Sequence, residues 1–275
     1  MSRKKMHYLH SLARGLSVIQ AFTAERPKLN LSELSRMTGL NVMAVQRITD
    51  TLMQMGFLLR TPHREFMLGP KVLNLGFAFL NGSQLKMLSE SYLPDFSEKN
   101  HCTTNVAVLD GDMVIFLYRH ESQRFLNYKL QAGSRLPAYC TATGKVLLAA
   151  LSDPVLEQTL AGMKMEAVTR FTLTDPAALM ADLKTIRDQG YAISDRELSL
   201  ALFSFGVPVL DHEHQVVAAL NLSIPVDVEA DKKDAMVEGL KGLGQTFSHA
   251  MGYAGPYPTI PANAWTPPGM DAADQ

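Results

Sequence analysis

The chain has 275 residues, 47% hydrophobic and 19% charged, which suits two globular domains and excludes a disordered, fibrous or disulfide-built chain. A net charge of −1 hides an asymmetry, because residues 1–70 sum to +6 and residues 71–275 to −7. One module fitted to a polyanion and another that is not follow from that split.

The first residues, MSRKKMHYLH, hold no secretory-type apolar run, and no stretch of the chain reaches ~18 uninterrupted apolar residues. A cytoplasmic protein without a membrane partner is expected. Leu9 to Ala24 is predicted to be an amphipathic helix, with Leu12, Leu16, Ile19 and Phe22 on one side, broken by Pro27. Residues 31–60, LSELSRMTGLNVMAVQRITDTLMQMGFLLR, then read as two helices and a strand. Ser32 is placed to cap the first helix, Gly39 to reverse the chain and Asn41 to cap the second. On the second helix Val45, Ile48, Leu52 and Met55 form one buried stripe, which leaves Met43, Ala44, Gln46, Arg47 and Asp50 outward. That pattern fits a helix-turn-helix and, equally, an ordinary helical hairpin. The next segment decides between them. Phe57–Arg60 and Glu65–Leu68 are β-prone runs around the turn Thr61-Pro62-His63-Arg64, so a wing tipped by His63 and Arg64, with Arg60 before it, follows the second helix.

A connecting helix is predicted over Lys71 to Leu80, with Val72, Leu75 and Phe79 inward, and Asn81-Gly82-Ser83 is the most linker-like tripeptide. In the second module a helix covers Leu85 to Lys99. Strands are predicted at Thr103–Leu109, Val114–Tyr118, Phe125–Leu130, Tyr191–Ser194, Ser204–Leu210 and Val216–Ser223. Helices are predicted at Gly144–Leu151, after Asp153-Pro154, after Asp175-Pro176 as far as Gly190, and over Asp231–Met251. Strands without regular βαβ alternation, flanked by helices, make an α+β fold. The resulting division is a winged helix-turn-helix over 1–70, a linker helix and hinge over 71–83, a second domain over 84–253 and a disordered Pro-rich tail over 254–275 carrying Trp265.

These segments together resemble the IclR family of bacterial transcriptional regulators. The resemblance is carried by SLARGLSVIQAF, LSELSRMTGL, FMLGPKVLNLG, LPAYCTATGKVLLA, IRDQGYAISDRE and PVLDHEHQVVAALNLSIP, and it covers residues 9 to 252. It is strongest toward the branch that controls aromatic-acid catabolism, such as the protocatechuate and 4-hydroxybenzoate regulators. The resemblance implies a GAF-like effector-binding domain with a mixed or antiparallel sheet. It also implies a dimer, or a dimer of dimers, on a double-stranded operator; no cofactor is expected, and two cysteines without a spaced set of further ligands indicate no metal site. Two departures stand out: Met43-Ala44 where the family commonly has Ser-Thr, and Ala201-Leu202-Phe203-Ser204 where many relatives have Gly-Leu-Arg-Ser. The first favours apolar contact with a thymine methyl over hydroxyl contacts.

By match to the family, Thr141, Ala142 and Thr143 line one wall of an effector pocket, Ser194 and Ser204 another, and Asn221 and Ser223 a third. Residues two apart on a strand share a face, as Asn221 and Ser223 would, and N–H groups at a helix start suit a carboxylate. Read without the family, the same Ser and Thr residues are caps and turns. Arg119, Arg124 and Lys129 are candidates for a counter-charge and equally for solvated edge charges; Arg135 suits a loop ion pair. The competing function is an enzyme with Cys140 or Cys102 as nucleophile, which requires a His base near a thiol. His101 is adjacent to Cys102, and no His lies near Cys140 in the chain. Two cysteines of this kind read first as buried small hydrophobes.

Overall fold

The computed structural model describes residues 8–122 and 130–261, and the chain divides into two compact units, Met1–Gly82 and Ser83–Gln275. The strand expected over 125–130, with Arg124 and Lys129, lies outside the described residues except for Leu130, which is not in a strand; Trp265 and the tail past 261 also lie outside them.

The first unit opens with α1 (His10–Gln20), which buries Val18 but leaves Leu12 and Leu16, on the predicted apolar side, exposed. The helix stops short of Ala24; Ala21 and Phe22, just past its end, enter the core. A two-residue strand, β1 (Lys28–Leu29), has no period to read and was not anticipated. α2 (Leu31–Thr38) is capped by Asn30, not Ser32. The Asn30 side chain accepts from the Glu33 N–H at 3.0 Å, and the Glu33 carboxylate accepts from the Asn30 N–H at 2.8 Å, so two orphan donors are satisfied reciprocally. Gly39 closes α2 at φ 70°, where a Cβ is unfavourable.

α3 (Val42–Gln54) starts at Asn41, whose side chain accepts from the Ala44 N–H at 2.8 Å. Its buried positions are Val45, Thr49 and Leu52; Ile48 is half-buried, and Met55, just beyond the last turn, stands in solvent rather than on the core stripe. β2 (Leu58–Arg60) and β3 (Phe66–Leu68) form the hairpin, and β1 pairs with β3, giving the order β1–β3–β2. Val18, Leu34, Val45, Leu52, Leu58 and Phe66 meet between helices and hairpin, each burial worth roughly 1.5–3 kcal/mol. α4 (Lys71–Asn81) buries no residue; Leu75 and Phe79, expected inward, are each 60% exposed.

In chain order the second unit holds α5 (Gln84–Asn100), β4 (Thr103–Asp110), β5 (Met113–Glu121), β6 (Arg135–Pro137), α6 (Ala142–Ala149), α7 (Asp153–Gly162), α8 (Pro176–Gln189), β7 (Ala192–Asp195), β8 (Leu202–Leu210), β9 (Val216–Pro225) and α9 (Ala230–Ala250). The strands form one antiparallel sheet in the order β6–β5–β4–β9–β8–β7, so the unit is α+β. Strand alternation divides its core. Val106, Phe205, Val207, Leu220 and Leu222 pack with α5 and α9, while Ala107, Leu109, Leu210 and Ala219 pack with α6, α7 and α8.

Every residue of α6 is buried, and its ends are tied down. Thr141 caps it, accepting from the Gly144 N–H at 3.2 Å. At the other end Arg187 of α8 donates to the Ala149 and Leu151 carbonyls at 2.6 and 2.7 Å, satisfying acceptors that helix geometry leaves open. A Cβ on Gly144 would sit 2.2 Å from the Ala138 carbonyl oxygen, so only glycine fits. The chain after α9 was expected to be disordered from 254. As far as 261 it is instead docked: Tyr253 and Ile260 are buried, and the Tyr257 hydroxyl donates to the Pro208 carbonyl at 2.8 Å. Three apolar anchors outweigh the proline-rich composition there. Among the described residues no helix is long and apolar enough to cross a membrane.

Candidate nucleic-acid interface and ligand cleft

On α3 the outward residues differ in their freedom. Met43 is 77% exposed and Arg47 exposed, whereas Ala44 and Gln46 are half-buried, and Gln46 donates to Asp50 at 2.7 Å one turn on. The side-chain oxygen of Asn41 is occupied by capping, which leaves its amide hydrogens for other partners. Ser32 is exposed on the first turn of α2. At the wing, Thr61 closes the turn by donating its N–H to the Glu65 carbonyl at 2.8 Å and accepting from the Arg64 N–H at 3.1 Å. Arg64 takes φ 62°, and His63 and Arg64 stand in solvent. Arg60 lies over the Phe66 ring, 5.8 Å from its centroid. Ser32, Asn41, Met43, Ala44, Gln46, Arg47, Arg60, His63 and Arg64, the residues expected to face DNA in a winged helix-turn-helix, thus all sit on the helix pair or the hairpin of one unit. Ala44 and Arg47 also border an apolar groove that α1 and α3 form with Leu12, Leu16, Ile48 and Leu75.

In the second unit Thr141, Ala142, Thr143, Ser194, Ser204, Asn221 and Ser223 all line one cleft, whose empty space, its mouth included, is about 550 Å³. The sheet registers explain the convergence. Glu121, Thr103, Ser223, Ser204 and Ser194 stand side by side across β5, β4, β9, β8 and β7, and Arg119, Asn105, Asn221 and Gly206 form the adjacent row. The rows are knit together by hydrogen bonds: Asn105 donates to Asn221 at 2.7 Å, Asn221 to Ser223 at 3.0 Å, and Ser204 and Ser223 meet at 2.8 Å. Ser194 donates to the Cys140 carbonyl at 3.0 Å. Arg119 donates to Asn105 at 2.8 Å and pairs with Glu121. Glycine at 206 lets α6 reach the sheet, since a Cβ there would fall 2.8 Å from the Ala142 carbonyl oxygen. The Ala142 and Thr143 N–H groups, first in α6, have no intrahelical acceptor. Phe116, Leu130, Leu136, Leu198 and Leu202 supply the apolar walls.

Thr103 and Asn105 were missed; two polar residues spaced by two in a strand were the available signal. Phe203 lies on the sheet face away from the cleft, packed with the α9 side under the Lys233 ammonium, so the departure from the family's Arg does not touch the pocket. Arg135 pairs with Asp110 at the hairpin, as a loop ion pair should.

A second feature escaped the sequence reading. Lys145, one turn into α6 and 2% exposed, forms ion pairs with Glu197 at 2.5 Å and Asp182 at 2.9 Å. Glu197 immediately precedes the cleft residues Leu198 and Ser199, and its carbonyl accepts from Thr172 at 2.7 Å, so the ion pair fixes that wall. Burial raises the Glu197 carboxyl pKa, opposed by the Lys145 ammonium and reinforced by Asp182. A lone Lys in the apolar run TATGKVLLAAL was the signal.

Neither thiol is placed to act as a nucleophile, because both are buried. Burial pushes Cys140 up to about 12, with the Glu197 carboxylate adding to the rise, and burial does the same to Cys102. Cys140 Sγ donates to the Pro137 carbonyl at 3.9 Å, and His101 is the exposed C-cap of α5 whereas Cys102 beside it is fully buried.

Comparison with known proteins agrees with both halves. The model for the C-terminal domain of the bacterial transcriptional regulator IclR matches residues 77–249, and the IclR helix-turn-helix domain matches residues 11–62. The chain is 39% identical over 220 residues to the Pca regulon regulatory protein of Pseudomonas putida, covering 80% of this chain and 75% of that one. It is 31% identical over 219 residues to the p-hydroxybenzoate hydroxylase transcriptional activator of Acinetobacter baylyi, covering 78% and 80%. Its fold matches the crystal structure of an IclR homolog from Microbacterium hydrocarbonoxydans complexed with 4-hydroxybenzoate, with a TM-score of 0.68, 26% identity, and 87% of this chain and 99% of that chain covered.

Proposed function

The chain belongs to the IclR family of bacterial transcriptional regulators, and on that premise we propose how its two units divide the work. It is a DNA-binding regulator of the kind that governs aromatic catabolism, and not an enzyme. In our reading α3 enters the major groove of an operator, with Met43, Ala44, Gln46 and Arg47 at base edges and Asn41 near the backbone. Ser32 and the wing residues Arg60, His63 and Arg64 take phosphates or the minor groove.

The cleft binds an aromatic carboxylate, its carboxylate on the Ala142 and Thr143 N–H groups and its ring against the leucine walls. Seven residues from four separated stretches of sequence meet at one cleft beside a helix N-terminus, and that convergence carries the proposal. The acid acts by favouring one arrangement of the DNA-reading heads over another. Leu12, Leu16, Leu73, Leu75, Phe77 and Phe79 leave more apolar surface in solvent on α1 and α4 than a lone unit tolerates. A second copy of the chain covers it, making a dimer or a dimer of dimers suited to a palindromic operator in the cytoplasm.

A gel-shift titration of the DNA flanking its own gene tests this. The expected result is a complex that weakens steeply with salt and responds, in either direction, to 4-hydroxybenzoate or protocatechuate. A salt-insensitive complex indifferent to both acids would overturn the proposal.

A further inference from the structure

Among the described residues the cleft holds one buried polar side-chain atom without a hydrogen-bond partner. Thr103 is 2% exposed, and its Oγ1 is buried without a hydrogen bond. Its row neighbours are all engaged, Ser223 with Ser204 and Asn221, and Ser194 with the Cys140 carbonyl. Thr104, on the opposite face of β4, is paired with Ser97 at 2.7 Å, so the unpartnered hydroxyl is particular to the cleft side. A buried hydroxyl left unpaired is unfavourable, and few native proteins retain one without a use.

The charges around it are already balanced. The Arg119 guanidinium is held by Glu121 and Asn105, and Glu121 is the direct cross-strand neighbour of Thr103. Among the described residues the uncompensated positive end in the cleft is the start of α6, which lies against β8 at Gly206. Thr103, on β4, is two strands across the sheet, roughly 9–10 Å at ordinary strand spacing. A benzene ring with one substituent at each para end spans that gap.

We propose that Thr103 reads a hydroxyl at the end of the ligand opposite its carboxylate, so that the cleft selects a hydroxy-substituted aromatic monocarboxylate over an aromatic dicarboxylate. This rests on the reading of the cleft as an aromatic-acid site. A hydroxyl at that end gives Thr103 its missing partner. A second carboxylate there would instead bring an unmatched negative charge to a place where the Arg119 and Glu121 charges already cancel.

Calorimetry of the full chain with 4-hydroxybenzoate, benzoate and terephthalate, on the native protein and on Thr103→Val and Thr103→Ser, tests it. In the native protein 4-hydroxybenzoate binds about five-fold or more tighter than benzoate, the worth of one net hydrogen bond, and about ten-fold or more tighter than terephthalate. Thr103→Val brings 4-hydroxybenzoate to about the benzoate affinity, leaves benzoate itself unchanged and does not lower the Tm of the free chain, because it removes an unpaired hydroxyl; Thr103→Ser keeps the preference. Terephthalate binding as tightly as 4-hydroxybenzoate, or a native protein that does not distinguish 4-hydroxybenzoate from benzoate, overturns the proposal while the aromatic-acid reading stands. A preference that survives Thr103→Val, or equal weakening of both acids by it, does the same. If none of the three acids binds the native protein, the aromatic-acid reading fails and this proposal falls with it.

Discussion

In the first unit most of the side chains given a task stand in solvent, Met43, Arg47, His63 and Arg64 among them, on short elements that share a small core. In the second unit they are enclosed: Thr103, Asn105, Thr141, Thr143, Ser194 and Asn221 are all buried, and Lys145 is held between two carboxylates behind them. The consequence is a difference in coupling. A substitution on the reading face of α3 can change recognition while stability hardly moves, because little packing depends on it. In the cleft, recognition and stability rest on the same hydrogen bonds and ion pairs, so few changes there touch one alone.

The sharpest way to break that contrast is Lys145→Met. It leaves the buried Glu197 carboxylate, and the half-buried Asp182 beside it, without their cation and should remove about 3–5 kcal/mol in urea unfolding, with most of the loss recovered when Glu197→Gln and Asp182→Asn are added. A loss below about 1 kcal/mol would mean that the ion pairs are incidental. The pH dependence has a definite sign. With its pKa raised, Glu197 holds its proton more tightly in the folded chain than in the unfolded one. Its contribution therefore declines as pH climbs from the ordinary carboxylate value through the raised one, and Lys145→Met steepens that decline.

Gly206→Ala comes next. Its Cβ would press on the Ala142 backbone, so it should lower stability by about 1–3 kcal/mol and weaken acid binding together. Unchanged acid affinity in a destabilised variant would separate the two properties that the second unit is said to couple.

Arg47→Ala should do the reverse. Operator affinity should fall about ten-fold, or ~1.4 kcal/mol, with the melting temperature unmoved. Intact operator affinity in a binding titration would remove Arg47 from the reading face.

The smallest effects distinguish two neighbouring residues on α2. Asn30→Ala should cost about 1 kcal/mol of stability through the lost capping box. Ser32→Ala should stay within about 0.5 kcal/mol while weakening operator binding slightly. Equal destabilisation by both would return the cap to Ser32.

These distinctions also show what could be read from residues alone. Gly39, Asn41 and Gly190 announce helix ends because left-handed backbone and side-chain capping each demand particular residue types, and all three stand where those demands arise. Asn221 and Ser223 were legible as one face because a strand's period is two. Asn30 was passed over since Ser32, two residues later, satisfies the same rule equally well. The apolar faces of α1 and α4 were recognised as faces, but periodicity says only that a surface needs cover, not that the same chain provides it. Lys145, Asp182 and Glu197 meet through the fold from far-apart places in the chain, and no local pattern announces such a meeting.

The central claim is that an acid in the cleft and an operator on α3 act on the same equilibrium, and linkage requires that effect to be reciprocal. Calorimetric titration of 4-hydroxybenzoate into the full chain, free and saturated with operator DNA, measures it directly. The account predicts that operator changes the acid's affinity by about five-fold or more, and by the same factor as the acid changes the operator's. Acid binding of equal strength with and without operator would contradict it.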